Sequence, residues 1–200
     1  MRPVLSIALH PSGYYMAAGF IDKVRMMHVL DDELRDFRSL EHRNCQKIKF
    51  SNGGQFLVIV EPKNFFVYAS YTLERLAHCK SPSPAITSLD FNDKDTAFGM
   101  VSADGFVYRF DLMSMRLKGD GNIHRTSDFK SCIFVEDIEG KEPERFMTVG
   151  AENGRALLRV YNENEDNDFT YRDEGEEKEA LKRFTEIGLI KSQPTSLSLF

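Results

Sequence analysis

The chain alternates short apolar runs with clusters of Gly, Pro, Asn, Asp and Ser, the pattern of β-strands joined by turns. Residues 55–60 and 65–68 are short apolar runs, led by Gln55 in the first, rather than alternations, which predicts strands buried on both faces of a sheet. The runs also repeat. Residues 7–13 align with 48–54 and with 89–94, which places Leu9, Phe50 and Phe91 at equivalent positions 41 residues apart. Asp22-Lys23-Val24, Lys63-Asn64-Phe65 and Asp104-Gly105-Phe106 form a second landmark with the same spacing, each a turn between two apolar runs.

Each unit reads as four strands; in the third they are expected over 86–91, 96–102, 106–111 and 113–117, with Asp104-Gly105 as a strong hairpin signal. A fourth unit places Phe134 where Phe91 stands, followed by an insertion over 136–144 and a turn at Asn153-Gly154. Residues 195–199 echo 87–91, as though another unit were starting. Four short strands every 40 to 45 residues are the signature of a WD-repeat β-propeller. A β-sandwich would have to produce both spacings by accident.

The expectation is therefore an all-β propeller portion of about four blades (4–41, 42–80, 81–118 and 128–161), with an acidic insertion at 162–183. A further blade is expected to start at 184–200, the whole being part of a larger propeller. Asp22, Lys63, Asp104 and Asn153 are expected as its structural blade turns. The fit to WD repeats is incomplete. Only Phe110-Asp111 resembles the Trp-Asp pair, and the Gly-His pair before the first strand is missing. The Asp–His–Ser/Thr–Trp hydrogen-bond network of such repeats should then not form intact, leaving the blades to rely on apolar stacking.

Charge divides the chain. Of 31 acidic and 26 basic residues in 200, nine acidic and two basic lie within 163–179, so that stretch carries −7 and the remainder +2. It reads as a solvated, self-repelling loop, or as an arm for a basic partner or a calcium ion. The Gly and Glu positions of an EF-hand are not both in register there. No apolar run approaches the roughly 20 residues of a membrane helix, and no signal-peptide core follows residues 1–4. Neither a secreted nor a membrane protein is expected. Three cysteines without C-x-x-C spacing point to reduced thiols rather than a disulfide framework or zinc knuckle.

The five histidines occupy unrelated places in the units, and no metal, nucleophile or phosphate-loop motif appears, so no enzyme, cofactor or metal is expected. Binding candidates are surface charges. Residues 30–40 read either as a solvated edge strand guarded by its charges or as a docking rim carried by Asp32, Glu33, Arg35 and Arg38. Arg43, Lys47 and Lys49 form a basic patch too small for a nucleic-acid groove.

Gly19-Phe20-Ile21-Asp22-Lys23-Val24-Arg25-Met26-Met27, Asp32-Glu33-Leu34-Arg35 and Phe50-Ser51-Asn52-Gly53-Gly54 carry a resemblance. The chain is similar there to the cilia- and flagella-associated protein 57 family of axonemal WD-repeat proteins, densely over 10–71 and more thinly to 161. The resemblance implies a non-enzymatic scaffold of motile cilia, with propellers followed by a coiled coil, that helps place inner dynein arms on doublet microtubules. Its implied partners are inner dynein arm components, doublet-microtubule-associated proteins and tubulin, whose acidic surfaces suit the Arg43, Lys47 and Lys49 patch. Its implied location is the axoneme within the cytoplasmic cytoskeleton. The other reading is a cytosolic WD-repeat adaptor in trafficking or ubiquitin-ligase assembly. No nucleic acid or membrane partner is expected.

Overall fold

A computed structural model describes residues 3–118, 127–135, 145–152, 155–162 and 184–190. The chain divides into two compact units, Met1–Ile86 and Thr87–Phe200. The first holds two four-stranded antiparallel sheets, β1(Ser6–Leu9) to β4(Leu34–Leu40) and β5(Lys47–Phe50) to β8(Arg75–Lys80), each with its strands in chain order. The second holds β9(Ile86–Phe91), β10(Ala97–Ser102), β11(Val107–Asp111) and β12(Arg116–Lys118), then β13(Ser127–Val135), β14(Arg145–Glu152), β15(Arg155–Asn162) and β16(Phe184–Ile190). These are the up-and-down sheets of propeller blades.

The repeat is visible in the backbone. In the first turns of the first three blades, Gly13, Gly54 and Asp95 have φ of 77°, 76° and 52°, at positions spaced by 41 residues. Their amides donate to the carbonyls of His10, Ser51 and Asn92 at 2.8, 3.0 and 2.9 Å, three residues with the same spacing. Only Gly enters that region without a Cβ penalty; Asp is among the few side chains that tolerate it. The outer strands repeat a second device, a β-bulge opposite Met26/Met27 in β4 and opposite Val67/Tyr68 in β8. Bulges of this kind twist an edge away from pairing with another chain.

Within each unit one sheet packs face to face on the next. In the first, Ala17, Val24 and Met26 meet Ile48, Leu57 and Phe66 in one buried cluster. In the second, Val101 and Val107 meet Phe129, Phe134 and Phe146. Close approach needs missing side chains. A Cβ at Gly19 would lie 2.8 Å from the Cys45 sulfur, and one at Gly99 would lie 2.5 Å from the Phe146 ring.

Polar ties accompany the packing. Ser6 Oγ accepts the Ile48 amide at 3.0 Å, and Ser88 Oγ, two repeat lengths later, accepts the Cys132 amide at 3.3 Å. Asp90 Oδ2 takes the Phe134 amide at 2.8 Å, and Thr87 Oγ1 donates to the Phe129 carbonyl at 2.7 Å. An inner strand has no neighbour on its open edge, so these side chains supply what a ladder would otherwise provide.

The expected start of a further blade over 184–200 is corrected. Phe184–Ile190 pairs antiparallel with β15, from Tyr161↔Phe184 to Ala156↔Ile190, and completes the fourth sheet as its outer strand. The acidic insertion separates the third and fourth strands of that blade, so its last strand falls out of the 41-residue register on which the sequence reading relied. The insertion over 136–144, Asn153, the stretch 163–183 and the 195–199 echo lie outside the described residues.

Gly99→Ala is expected to destabilise the chain by about 1–3 kcal/mol, because an aromatic ring must move to admit the methyl group. Gly13→Ala, with nothing within 4 Å of its Cβ position, should cost only the backbone term of about 1–2 kcal/mol. Urea unfolding of the two variants beside the parent chain checks the order.

Candidate functional site

The surface charges singled out in the sequence sit on the first two blades, at two opposite ends. Asp32 and Glu33 lie in the β3–β4 turn, closed by the Leu30 amide on the Glu33 carbonyl at 3.0 Å. Glu33 is paired with the Arg35 guanidinium at the start of β4, and Arg25 reaches Asp36 at 3.1 Å from the neighbouring strand. Both pairs are exposed and contribute about 0–1 kcal/mol each. Arg38 is exposed further along β4, without an ion pair among the described residues.

Arg43 belongs to the other end, in the β4–β5 connection, where its amide donates to Glu61 Oε1 at 3.0 Å and its side chain is exposed. Lys47 and Lys49 alternate along β5 with the buried Ile48 and Phe50, so both lysines take the half-buried opposite face. Lys47 pairs with Val60 beside the β6–β7 turn. A strand the length of β4 spans roughly 20 Å. The seven residues therefore make two surfaces, a mixed one around the β3–β4 turn and a basic one around the β4–β5 connection. Asp22, Lys63 and Asp104 lie in the second turns of the first three blades, closed by Phe20 on Lys23, Glu61 on Asn64 and Ser102 on Phe106.

Two polar constellations escaped the sequence reading. The first stands where the Asp–His–Ser/Thr–Trp network, not expected intact, would lie. His42, which precedes β5, holds Glu61 Oε1 through Nδ1 at 2.9 Å and the Tyr68 hydroxyl through Nε2 at 2.8 Å. Glu61 is in the turn before the third strand and Tyr68 on that strand, so a carboxylate, an imidazole and a ring hydroxyl replace the usual Asp, His and Trp. A carboxylate can only accept, which puts an imidazole proton on Nδ1, while Nε2 meets the tyrosine hydroxyl. Burial holds the Tyr68 hydroxyl above its ordinary pKa; Arg75 opposes this and Glu61 adds to it. The signal in the sequence was His42 itself, obscured because Glu41 stands where glycine is usual.

The second constellation is His10, buried where blades 1 and 2 meet. The Ser12 amide donates to its Nδ1 at 3.1 Å, so the proton is on Nε2, which donates to the Gly54 carbonyl at 2.9 Å. The Phe50, Tyr71 and Tyr15 rings stand edge-on around it with centroids at 5.0, 5.3 and 5.6 Å. His10 thus fastens the first turn of one blade to the first turn of the next.

Nothing in this arrangement activates a nucleophile. Burial, with the Glu61 charge adding to it, pushes the Cys45 thiol up to about 12, so it stays protonated. Among the described residues no group of three or more His, Cys, Asp or Glu converges as a metal site.

Stacked four-stranded blades with chemistry confined to turns and edges define a WD-repeat β-propeller protein. Solved structures agree on the fold. The WD40 repeats of RRP9 superpose over 80% of this chain and 48% of that one, with a TM-score of 0.66 and 12% identity. U3-55K does so over 81% and 49%, at 0.66 and 12%. In sequence the chain is similar to cilia- and flagella-associated protein 57. It is 29% identical to the mouse protein over 147 residues, and 32% identical over 103 residues to protein 57 A of Tetrahymena thermophila. Those alignments cover 74% and 51% of this chain but 11% and 8% of the relatives, so the chain spans a small part of their length. No family model matches it.

Tyr68→Phe should lower stability by about 1–3 kcal/mol, because it strands the buried Nε2 of His42; the urea midpoint measures it. A pH effect follows from Cys45 and from Tyr108, which burial and then Asp104 push up to about 12. Unfolding returns them to 9.0 and 10.0, so the unfolded chain releases these protons first. Their stabilisation is complete below pH 9 and is lost as pH rises towards 12. Thermal unfolding across that window is expected to show a falling midpoint, and Tyr108→Phe to flatten it.

Proposed function

We propose that this chain is a propeller portion of a non-enzymatic scaffold of motile cilia and flagella, located on the axoneme, where it binds doublet-microtubule-associated proteins and helps place inner dynein arms. The observation that carries the reading is the sequence relationship to cilia- and flagella-associated protein 57, which extends over 74% of the chain and thus well beyond one blade. The surfaces support it. A rigid stack of sheets offers exposed turns and outer strands, and the two charged ends are where partners can be held.

In this reading Asp32, Glu33, Arg35 and Arg38 form one docking rim. Arg43, Lys47 and Lys49 form the other, matched to an acidic surface such as tubulin's. The remaining blades and the coiled coil of a full-length protein would supply reach along the microtubule.

Tagged full-length protein is expected to stay with demembranated, salt-washed axonemes, and its deletion to deplete a subset of inner-arm dyneins in quantitative mass spectrometry. Recovery in the detergent-soluble cytosol with trafficking or ubiquitin-ligase components would replace the scaffold with the adaptor reading. Charge reversal at Arg43, Lys47 and Lys49 should weaken sedimentation with microtubules about tenfold or more at low salt.

A further inference from the structure

A ribbon of rings crosses one end of the first unit. Tyr71, in the β7–β8 turn, touches His10 at 5.3 Å between centroids, and His10 touches Tyr15 at 5.6 Å. Tyr15 touches His28 at 5.3 Å, and His28 touches Phe37 on the outer strand at 4.4 Å. The middle of the ribbon is packed while its ends are open, with Tyr71 66% and Phe37 44% exposed; Tyr14 beside it is 69% exposed. Aromatic side chains left in water at this density mark a binding surface, since folding alone would bury them.

The turns at the same end carry charge of one sign. The first and third turns of the two blades carry Asp31, Asp32, Glu33 and Glu74 and no Lys or Arg. Arg35 is taken by Glu33, which leaves Asp31, Asp32 and Glu74 without an ion pair among the described residues, against two unpaired cations, Arg75 at the start of β8 and Arg38 beside Phe37. Ring faces attract cations, and a carboxylate beside them meets the same charge.

We propose that this end of the first two blades docks a basic protein segment, its lysine or arginine side chains lying on the exposed Tyr71 and Phe37 rings with their charge met by Asp31 and Asp32. The surface is distinct from the basic patch at Arg43, Lys47 and Lys49, and its specificity does not depend on where in the cell the chain works. An acidic segment would meet like charge here. A purely apolar one would leave the carboxylates desolvated and unpaired.

The test uses the whole 200-residue chain and a fluorescein-labelled peptide of mixed lysine, arginine and glycine, with a glutamate-glycine peptide as counterpart, in fluorescence anisotropy. The basic peptide is expected to bind and the acidic one not to. Tyr71→Ala and Phe37→Ala should each weaken binding about threefold or more, and Asp31→Asn with Asp32→Asn should also flatten its salt dependence. Because the stretch 163–179 is itself strongly acidic, a variant with those carboxylates converted to amides is measured in parallel and should keep the component that Tyr71→Ala removes. Carbodiimide cross-linking of the peptide to the unaltered chain, mapped by mass spectrometry, should mark Asp31, Asp32 or Glu74 and does not depend on any variant folding. Cross-links confined to 163–179, loss of all binding when that stretch is neutralised, or indifference to the ring substitutions would each overturn the proposal.

Discussion

The face-to-face packing of one four-stranded sheet on the next sets the terms for the rest of the molecule. A strand such as β6, buried from Leu57 to Val60, belongs to a sheet that cannot be left open to water on either side, so each blade depends on a neighbour. That dependence explains the glycines at positions 19 and 99, where a methyl group would collide with Cys45 or Phe146. It also explains the serines at 6 and 88, which bind the adjacent inner strand's backbone. Apolar burial supplies the drive, and these small and polar residues set the distance and register at which it can operate.

Once the blades are held in this way, chemistry is displaced to their ends. Inward side chains are committed to packing or to closed hydrogen-bond sets: His10 between Ser12 and Gly54, and His42 between Glu61 and Tyr68. Both imidazoles have two hydrogen-bonded nitrogens, so they serve as fasteners. The turns and outer strands hold side chains free to meet another molecule. There bulges and charges deter strand addition while leaving Phe37, Tyr14 and Tyr71 in water.

The repeat was legible because blade geometry imposes it locally. A turn needing a left-handed residue recurs at Gly13, Gly54 and Asp95, and apolar strands recur at Leu9, Phe50 and Phe91. The fourth blade's outer strand was not legible, since an insertion breaks the spacing that identified the others and Phe184–Ile190 has no counterpart at the expected position. The His42 network was missed for a different reason. Its members are separated by 19 and 26 residues and are chemical substitutes for the residues a motif search seeks, so only their convergence reveals them. The rim and the basic patch are close in the chain, yet Glu33 and Arg43 lie at opposite ends because a whole strand runs between them.

By itself the sequence determined the all-β class, the 41-residue unit, the position of most turns and the similarity to cilia- and flagella-associated protein 57. These depend on local preferences and on strings that survive as text. The tertiary structure alone decided which side chains meet across blades, which carboxylates remain unpaired, and that five rings distant in the chain form one ribbon. Those facts arise from register and packing between separate sheets, and contacts of that kind leave no fixed spacing in a linear sequence.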